Sequence, residues 1–191
     1  MKSSLEHEAR AQLKHAARHD PLTGLPNRLG LTQKMTEISM LLETDVVAKV
    51  GILTIDLNLF KEVNDLYGHA SGDTVLIAVA ERLSAALEGG EFVARSGGDE
   101  FVAIKTGFRR VEEVTAFGER LSAVILEPIV IGDLSTSISA AVGVATSIND
   151  GRVVHELQHK SDLAMYRAKA ELELRVCVYN AEMDKQSQDR L

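Results

Sequence analysis

Residues 46 to 61 read VVAKVGILTIDLNLFK and decide the fold of this chain. Their aliphatic and β-branched residues form a nearly continuous apolar run, which predicts a buried strand over Val46 to Leu57. Asp56 lies at the end of that strand, and a short helix is predicted to begin at about Leu59 and to end at Gly68. A strand that ends in an acid and passes directly into a helix is where α/β proteins commonly place a ligand.

The rest of the sequence alternates predicted helices and strands around this segment. Helices are predicted over residues 3–18, 28–43, 73–87, 111–125 and 153–171. Strands are predicted over residues 92–95, 100–104, 135–146 and 175–179. The Gly97-Gly98 pair has the composition of a tight hairpin turn. This order implies an α/β or α+β fold in which helices cover a sheet.

Composition and charge narrow the classes of function. The 191 residues are 45% hydrophobic and 26% charged, the balance of a single globular domain, and their formal net charge is -7. Such an acidic surface argues against a nucleic-acid partner and against direct contact with an anionic membrane, because both select basic faces. A small phosphorylated ligand stays compatible, since a few lysines and backbone N–H groups can hold it.

Cysteine content and the distribution of apolar residues point to the compartment. Cys177 is the only cysteine, so an intramolecular disulfide is impossible, and its apolar neighbours predict a core position. The N-terminus has no apolar stretch of the kind found in signal peptides, and no apolar run approaches the length of a membrane span. We therefore expect a cytoplasmic domain, and any membrane anchor of a parent protein would lie outside this sequence.

The first candidate for chemistry is the segment from Asp56 to Lys61. The helix that follows the strand offers free N–H groups and the positive end of its dipole, both of which suit phosphate. Lys61 adds a cation. A structural alternative is that Asp56 merely caps the helix and that Lys61 is solvated. The segment alone does not choose between these interpretations.

The second candidate is the hairpin Ser96 to Phe101, which reads SGGDEF. Its two glycines permit a sharp turn and the close approach of a ligand. Asp56 and Asp99 both lie at strand ends, so a sheet that pairs these strands brings two carboxylates together, as part of the oxygen shell that Mg²⁺ prefers. The alternative is that Asp99 and Glu100 belong to an ordinary solvated turn.

The third candidate is the segment Asn64 to Asp73, which reads NDLYGHASGD. An asparagine amide can donate to guanine O6 or N7, and an aspartate can accept from guanine N1–H and N2–H₂. Adenine lacks that pair of donors, so Asn64 and Asp73 together would select guanine. The alternative is that Asp73 is the N-cap of the following helix and that Asn64 belongs to a helix end.

Together these segments resemble the GGDEF family of diguanylate cyclases. Four ordered motifs carry the resemblance: DPLTGLPNR at Asp20–Arg28, D-x-x-x-F-K-x-x-N-D-x-x-G-H-x-x-G-D at Asp56–Asp73, GGDEF at Gly97–Phe101, and AMYRAK at Ala164–Lys169. The match covers residues 19–180, which we expect to form the domain. Residues 1–18 would be a linker helix, and residues 181–191 a second linker.

The resemblance implies the fold that class III nucleotidyl cyclases share with polymerase palms, a central, mostly antiparallel sheet flanked by helices. It also implies roles for matching residues. The ligands of Mg²⁺ or Mn²⁺ would be Asp56, Asp99 and the Leu57 carbonyl. The catalytic acids would be Asp99 and Glu100, the latter as a further metal ligand or as the base for a 3′-OH. The GTP-binding residues would be Asn58, Leu59, Phe60, Lys61, Asn64, Asp73, Gly97, Gly98 and Lys169.

The implied reaction is the condensation of two GTP molecules into cyclic di-GMP with release of pyrophosphate. Each domain would bind one GTP, so the resemblance implies a homodimer. The thin apolar stripe of Leu5, Ala9, Leu13 and Ala16 would pair two linker helices below an upstream sensory domain. The tail YNAEMD at Tyr179–Asp184 resembles the linker that joins GGDEF domains to EAL phosphodiesterase domains.

Three stretches depart from the family pattern. Leu172-Glu173-Leu174 replaces the usual G-R-N, so an acid stands where a phosphate-binding arginine is expected, unless Arg175 compensates. Residues 88–91, EGGE, replace the inhibitory R-x-x-D, so we expect no product inhibition there. Asn58 replaces the commoner aspartate. Two alternatives to the enzyme follow: a GTP-binding regulatory module for an attached EAL domain, and a bare dimerisation scaffold.

Overall fold

The computed structural model describes residues 13, 15–171 and 173–184. Its main helices are α1 Arg28–Thr44, α2 Phe60–Tyr67, α3 His69–Ala85, α4 Val111–Leu126 and α5 Val154–Ala170. Its strands are β1 Val50–Leu57, β2 Glu91–Gly97, β3 Glu100–Thr106, β4 Ile129–Ile131, β5 Leu134–Thr136, β6 Ala140–Thr146 and β7 Val176–Val178. Residues 15–18 are also helical, whereas most of the predicted linker helix, including Leu5 and Ala9, lies outside the described residues.

The main sheet has five strands in the order β2-β3-β1-β6-β7. The central strand β1 pairs antiparallel with both β3 and β6, and β2 pairs antiparallel with β3. At the other edge β7 joins β6 in parallel. The strands β4 and β5 form a separate hairpin. The predicted mostly antiparallel sheet flanked by helices is therefore confirmed.

Both faces of the sheet are covered, because β1 is apolar on each side. Leu53, Ile55 and Leu57 pack into one core cluster with α3 and α4. Val50 and Ile52 point the other way and pack with α1 and α5. All five side chains are buried, and burying each aliphatic side chain contributes roughly 1.5–3 kcal/mol. The sheet thus separates two cores, and the second face becomes polar only towards the end of β1.

Two predicted strand boundaries are wrong. The central strand begins at Val50 and not at Val46, since Val46 and Val47 are 85% and 76% exposed and lie in a turn. The strand predicted over residues 135–146 is two strands, β5 and β6, separated by residues 137–139. The chain leaves the small hairpin there and enters the main sheet, a change of partner that alternation along one strand cannot reveal.

One predicted helix boundary is also wrong. Helix α3 begins at His69, four residues before the predicted start at Asp73. Gly68, with φ 86°, ends α2 and immediately precedes α3. The first turn of α3 is polar and small, so the apolar periodicity used for prediction starts only in its second turn.

The described residues at the C-terminal end pack on the domain. Cys177 lies buried in β7, as predicted. Met183 is also buried, and the Tyr179 hydroxyl donates to Asp184 Oδ2 at 2.5 Å. The beginning of the predicted second linker is therefore part of the packed structure. Of the helices described, none is both long enough and apolar enough to cross a membrane.

Helix α5 touches the backbone of the sheet at Gly143. A β-carbon on this residue would lie 2.0 Å from the Ser161 carbonyl oxygen and 2.2 Å from the Met165 nitrogen. Gly143 is paired with Thr54 of β1. The absence of a side chain at Gly143 therefore lets α5 approach the sheet closely beside β1.

We predict that Gly143→Ala destabilises the domain by roughly 1–3 kcal/mol or more, because the added methyl group meets backbone atoms that cannot rotate away. Urea unfolding measures the change. Gly89→Ala is the matched control, since nothing lies within 4 Å of a β-carbon there. Equal stability of the two variants would show that α5 does not rest on Gly143.

Candidate active site

The pairing of β1 with β3 brings the predicted acids to one edge of the sheet. Asp56 lies opposite Glu100 in the antiparallel register. The Leu57 N–H donates to the Asp99 carbonyl oxygen at 3.2 Å. The end of β1 and the tip of the hairpin are therefore neighbours, as the sequence predicted.

Asp99 does not belong to an ordinary solvated turn. Burial of the carboxyl group, followed by the negative charge of Asp56, raises its pKa above the usual value. The charges of Lys169 and Arg95 act in the opposite direction without cancelling these effects. Two carboxylates in such proximity favour a cation beside them.

Lys169 supplies one such cation. Its Nζ lies 2.5 Å from Asp56 Oδ1. Burial lowers the pKa of Lys169, but the hydrogen bond and the charge of Asp56 outweigh burial, and the pKa is raised overall. Asp56 does not cap α2, because that helix follows Leu59 and has no side-chain cap. The capping interpretation of Asp56 is therefore wrong.

The acid pair suits a divalent cation that prefers oxygen ligands. In the described part of the chain, no three His, Cys, Asp or Glu side chains gather into a group that could hold a metal. Asp56 and Asp99 would thus supply two carboxylates, with the Leu57 carbonyl beside them. The remaining ligands would be substrate oxygens and water, which is common for Mg²⁺ sites built around phosphates.

The loop that joins β1 to α2 is strained. Leu59 has φ 58°, and no other non-glycine residue among those described has a positive φ. Such strain costs about 1–3 kcal/mol and is concentrated at functional sites. The Asn58 N–H donates to the Ser139 carbonyl oxygen at 2.8 Å, so this donor is already used within the protein. Phosphate contacts in this loop would therefore come from Leu59 to Lys61, and the Lys61 side chain is exposed.

Asn64 lies on α2 and Asp73 on α3, and the two helices pack against each other where Asn64 contacts Gly72. A β-carbon on Gly72 would lie 1.9 Å from Asn64 Oδ1, so the glycine provides the space for this amide. Asp73 follows Gly72 directly and is exposed in the second turn of α3. Because α3 begins at His69, the interpretation of Asp73 as an N-cap is wrong. Both predicted guanine-binding side chains lie on the same helix pair.

Arg95 holds the glycine hairpin in place, although the sequence analysis did not single it out. Its Nε and Nη2 donate to the Gly98 carbonyl oxygen at 2.9 and 2.8 Å, and its Nη1 donates to Asp20 Oδ2 at 2.9 Å. Gly98 has φ 50°, a left-handed conformation that favours glycine. Within the tip, Ser96 Oγ donates to Glu100 Oε1 at 2.7 Å. The available signal was charge complementarity between Asp20, in the DPLTGLPNR motif, and Arg95, two residues before the GGDEF motif.

A cavity of about 650 Å³ opens between the hairpin and the start of α1. It is lined by Asp20, Asn27, Arg28, Leu29, Thr32, Arg95, Ser96, Gly97 and Gly98. Arg28 Nη2 lies 3.8 Å from the position of a β-carbon on Gly97. The cavity leaves one side of the glycines accessible to a ligand or to a second domain.

Glu173 lies in the segment that joins α5 to β7. Glu173 and Arg175 line a groove of about 350 Å³ together with Glu119 and Ser122, on the α4 side of the sheet. Lys169 and the acid it contacts belong to the α5 side. The departure from G-R-N therefore replaces the expected base with Glu173, which lines this groove together with Arg175.

The acids that replace the inhibitory motif are internally neutralised. The Glu91 side chain is 0% exposed and binds Lys105 Nζ at 2.7 Å and Arg120 Nη2 at 2.5 Å. Burial raises the pKa of Glu91, but the bonds from Arg120 and Lys105 outweigh burial and lower it overall. Glu88 lies 3.5 Å from the same arginine. We still expect no binding of cyclic di-GMP here, because Lys105 and Arg120 are both already paired with Glu91.

Comparison with known proteins identifies the family. The sequence profile described as "Diguanylate cyclase, GGDEF domain" matches residues 17–174. This chain belongs to the GGDEF family. The bifunctional diguanylate cyclase/cyclic di-GMP phosphodiesterase MucR of Pseudomonas aeruginosa is 37% identical to the domain over 184 residues, which are 96% of this chain and 26% of MucR. The diguanylate cyclase TpbB of the same species is 36% identical over 160 residues, which are 83% of this chain and 37% of TpbB.

A further relative is named for a different activity. The cyclic di-GMP phosphodiesterase NbdA of P. aeruginosa is 35% identical to this GGDEF domain over 170 residues, which are 88% of this chain and 21% of NbdA. The chain thus spans well under half the length of the curated relatives named here. Among solved structures, the GGDEF domain of TpbB (YfiN) matches with a TM-score of 0.83 and 30% identity, covering 89% of this chain and 99% of that chain.

We predict that Asp56→Asn lowers the pKa of Asp99, because removing a neighbouring negative charge stabilises the Asp99 carboxylate. Lys169, released from Asp56, would act in the same direction. A carboxyl ¹³C NMR titration without nucleotide measures the shift. Asp133→Asn, an exposed residue in the β4–β5 turn, is the control. An unchanged Asp99 titration in Asp56→Asn would contradict the proximity of the two acids.

Proposed function

We propose that this GGDEF domain is a diguanylate cyclase that condenses two GTP molecules into cyclic di-GMP and releases pyrophosphate. The observation that carries the proposal is the acid pair Asp56 and Asp99, compensated by Lys169, beside the glycine hairpin. An acid pair next to a strained loop and an open cavity supports nucleotidyl transfer. The family of the chain and the relationship to TpbB, which is named a diguanylate cyclase, support the same reaction.

In this proposal the nucleotide lies across the edge of the main sheet. Asn64 and Asp73 bind the guanine, and their pattern of donor and acceptor excludes adenine. The backbone of Leu59 to Lys61 holds the β- and γ-phosphates, assisted by the Lys61 ammonium group. Gly97 and Gly98 have no side chains, so the sugar and the α-phosphate can approach the hairpin backbone.

The reaction joins two nucleotides without any redox change. The 3′ oxygen of each GTP forms a bond to the α-phosphorus of the other, and the bond from each α-phosphorus to its pyrophosphate breaks, so two phosphodiester bonds form and two pyrophosphates leave. Glu100 accepts the proton of the 3′-OH, while the hydrogen bond from Ser96 orients its carboxylate. Asp56 and Asp99 would hold Mg²⁺ or Mn²⁺, which would supply charge neutralisation and Lewis-acid activation of the 3′ oxygen. Lys169 neutralises negative charge on the triphosphate.

The proposed catalyst is a homodimer, because each domain carries one GTP and only half of the reacting groups. The cavity beside Gly97 and Gly98 leaves the hairpin accessible to a second copy. In a longer parent protein, an upstream sensory domain would control this encounter through the linker helix. We place the domain in the cytoplasm, where GTP is available.

A second candidate function is a GTP-binding regulatory module that controls an attached EAL phosphodiesterase domain. The observation that favours it is the presence of Glu173 where the family resemblance implies a phosphate-binding arginine. The names of MucR and NbdA include cyclic di-GMP phosphodiesterase, and the chain corresponds to only 26% and 21% of their lengths. In this alternative GTP binds in the same way, but no product forms.

We predict that the domain converts GTP to cyclic di-GMP in the presence of Mg²⁺ or Mn²⁺, as measured by chromatography of the nucleotides. Asp99→Asn should reduce product formation by about 100-fold or more, because it removes one of two proposed carboxylate ligands. Asp133→Asn should leave the rate unchanged. Normal product formation by Asp99→Asn would exclude the proposed role of the acid pair.

We further predict that enforced dimerisation raises activity at low protein concentration. A parallel coiled coil fused before residue 5 holds two domains at an effective concentration of about the millimolar range. Activity per domain of the unfused protein should instead rise with its concentration, by mass action. If the fused dimer binds GTP but makes no cyclic di-GMP, the domain is a regulatory module and not an enzyme.

A further inference from the structure

We propose that Thr54 and Asp162 are positioning residues, which fix α5 against β1 so that Lys169 reaches Asp56. The role assigned to the resulting Lys169–Asp56 pair rests on the proposed function. The positioning itself depends only on the contact between α5 and β1. Thr54, Ser161 and Asp162 form a polar cluster between α5 and β1 that neither GTP binding nor the reaction uses directly.

On the α5 side of β1, Thr54 lies between the apolar Ile52 and the site residue Asp56. It is 0% exposed, as is Ser161 of α5. Its hydroxyl donates to Asp162 Oδ1 at 2.5 Å and lies 2.8 Å from Ser161 Oγ. Thr54 is therefore hydrogen-bonded to two consecutive residues of one helix. These bonds fix both the distance of α5 from the sheet and its position along β1.

The glycine opposite Thr54 makes this contact possible. Gly143 is the cross-strand partner of Thr54. Because Gly143 has no side chain, Ser161 and Met165 of α5 lie directly on the sheet backbone. The helix is thereby brought within hydrogen-bonding distance of a short threonine side chain, which could not reach it across an ordinary packing distance of about 10 Å.

The same two elements meet again at the active site. Asp56 follows Thr54 by two residues and lies on the same side of β1. Lys169 follows Asp162 by seven residues, which are two helical turns, and lies on the same side of α5. The distance along the helix is about 10.5 Å and that along the strand about 6.7 Å. The long lysine side chain, which leans towards the helix N-terminus, spans the difference.

A hydrogen bond specifies this register better than apolar contact does. Around Thr54 the interface consists of small and aliphatic groups such as Ile52, Ala164 and Met165. Apolar contacts change little in energy when surfaces slide by a fraction of an ångström, whereas a hydrogen bond weakens steeply with distance and angle. A sliding helix would move Lys169 away from Asp56, so Thr54 and Asp162 prevent the movement that the site tolerates least.

A second buried threonine offers a matched control. Thr146 of β6 is also 0% exposed, and its hydroxyl has no hydrogen-bond partner in the part of the chain that the structure describes. Thr54→Val and Thr146→Val therefore remove the same hydroxyl from similar surroundings. Only the first removes a bond to α5, so the pair separates positioning from the general effect of a buried methyl group.

Calorimetric titration with GTP and Mg²⁺ is the first measurement. Thr54→Val should weaken binding about tenfold, which corresponds to the loss of about one hydrogen bond. Thr54→Ser, which keeps the hydroxyl, and Thr146→Val should stay within about twofold of the unaltered protein. Equal affinities of Thr54→Val and Thr146→Val would overturn the proposal.

A double-mutant cycle tests whether Thr54 acts through Lys169. In a Lys169→Ala background, Thr54→Val should have almost no further effect on GTP affinity, because the group that it positions is already absent. An undiminished effect in that background would overturn the proposal. Asp162→Ala should reproduce Thr54→Val, and Asp162→Asn, which keeps an acceptor, should restore binding. These variants replace Thr54→Val should it fail to fold.

Crystal structures determined without nucleotide separate this proposal from the proposed function. If the unaltered domain binds no GTP, the cyclase proposal fails, and the geometry decides the positioning claim alone. In Thr54→Val, Lys169 Nζ should lie more than about 4 Å from Asp56, beyond ion-pair distance. In Thr146→Val the pair should persist. An intact pair in Thr54→Val would overturn the proposal.

Discussion

The neighbours of the Asp56 carboxylate are set by its position at the end of a strand that is paired on both sides. The register with β3 brings Asp99 beside it, and the packing of α5 brings Lys169 within 2.5 Å. Two like charges and one opposite charge are thus held on elements that two hydrophobic cores keep rigid. Moving either neighbouring element would leave a carboxylate uncompensated, so the site requires the whole sheet to be in register.

Asp56 lies on a strand, Asp99 on the hairpin turn and Lys169 on α5, and two residues with left-handed backbones lie in the adjoining turns. Leu59 and Gly98 both have left-handed backbone conformations, and each directly adjoins a segment of the proposed nucleotide site. The bond from Arg95 to the Gly98 carbonyl ties the hairpin to Asp20, near the start of the domain. Strained turns on a rigid frame pre-organise a site, because the ligand then needs to induce little rearrangement.

Two acidic residues, Glu91 and Glu173, stand where this chain departs from the family motifs, and they have different surroundings. Glu91 stands in place of a motif acid, yet Lys105 and Arg120 enclose it completely. Glu173 stands in place of a motif base, yet it lines a groove on the α4 side of the sheet. Glu91 is thus neutralised by its two cations, whereas Glu173 replaces an arginine that the family resemblance implies at the proposed phosphate site.

The sequence by itself determined the central strand, the hairpin and most helices, because periodicity and turn chemistry are local. It predicted the meeting of Asp56 with Asp99 only on the condition that their strands pair, and the structure supplied that pairing. Only the tertiary structure decided the partner of Lys169 and the enclosure of Glu91. It also decided the split between β5 and β6, and the contact of Thr54 with α5. These features join residues far apart in the chain, such as 54 and 162 or 56 and 169, and their pairing follows from how close α5 comes to Gly143. No local pattern encodes such distances, since they result from the packing of two elements on a common core.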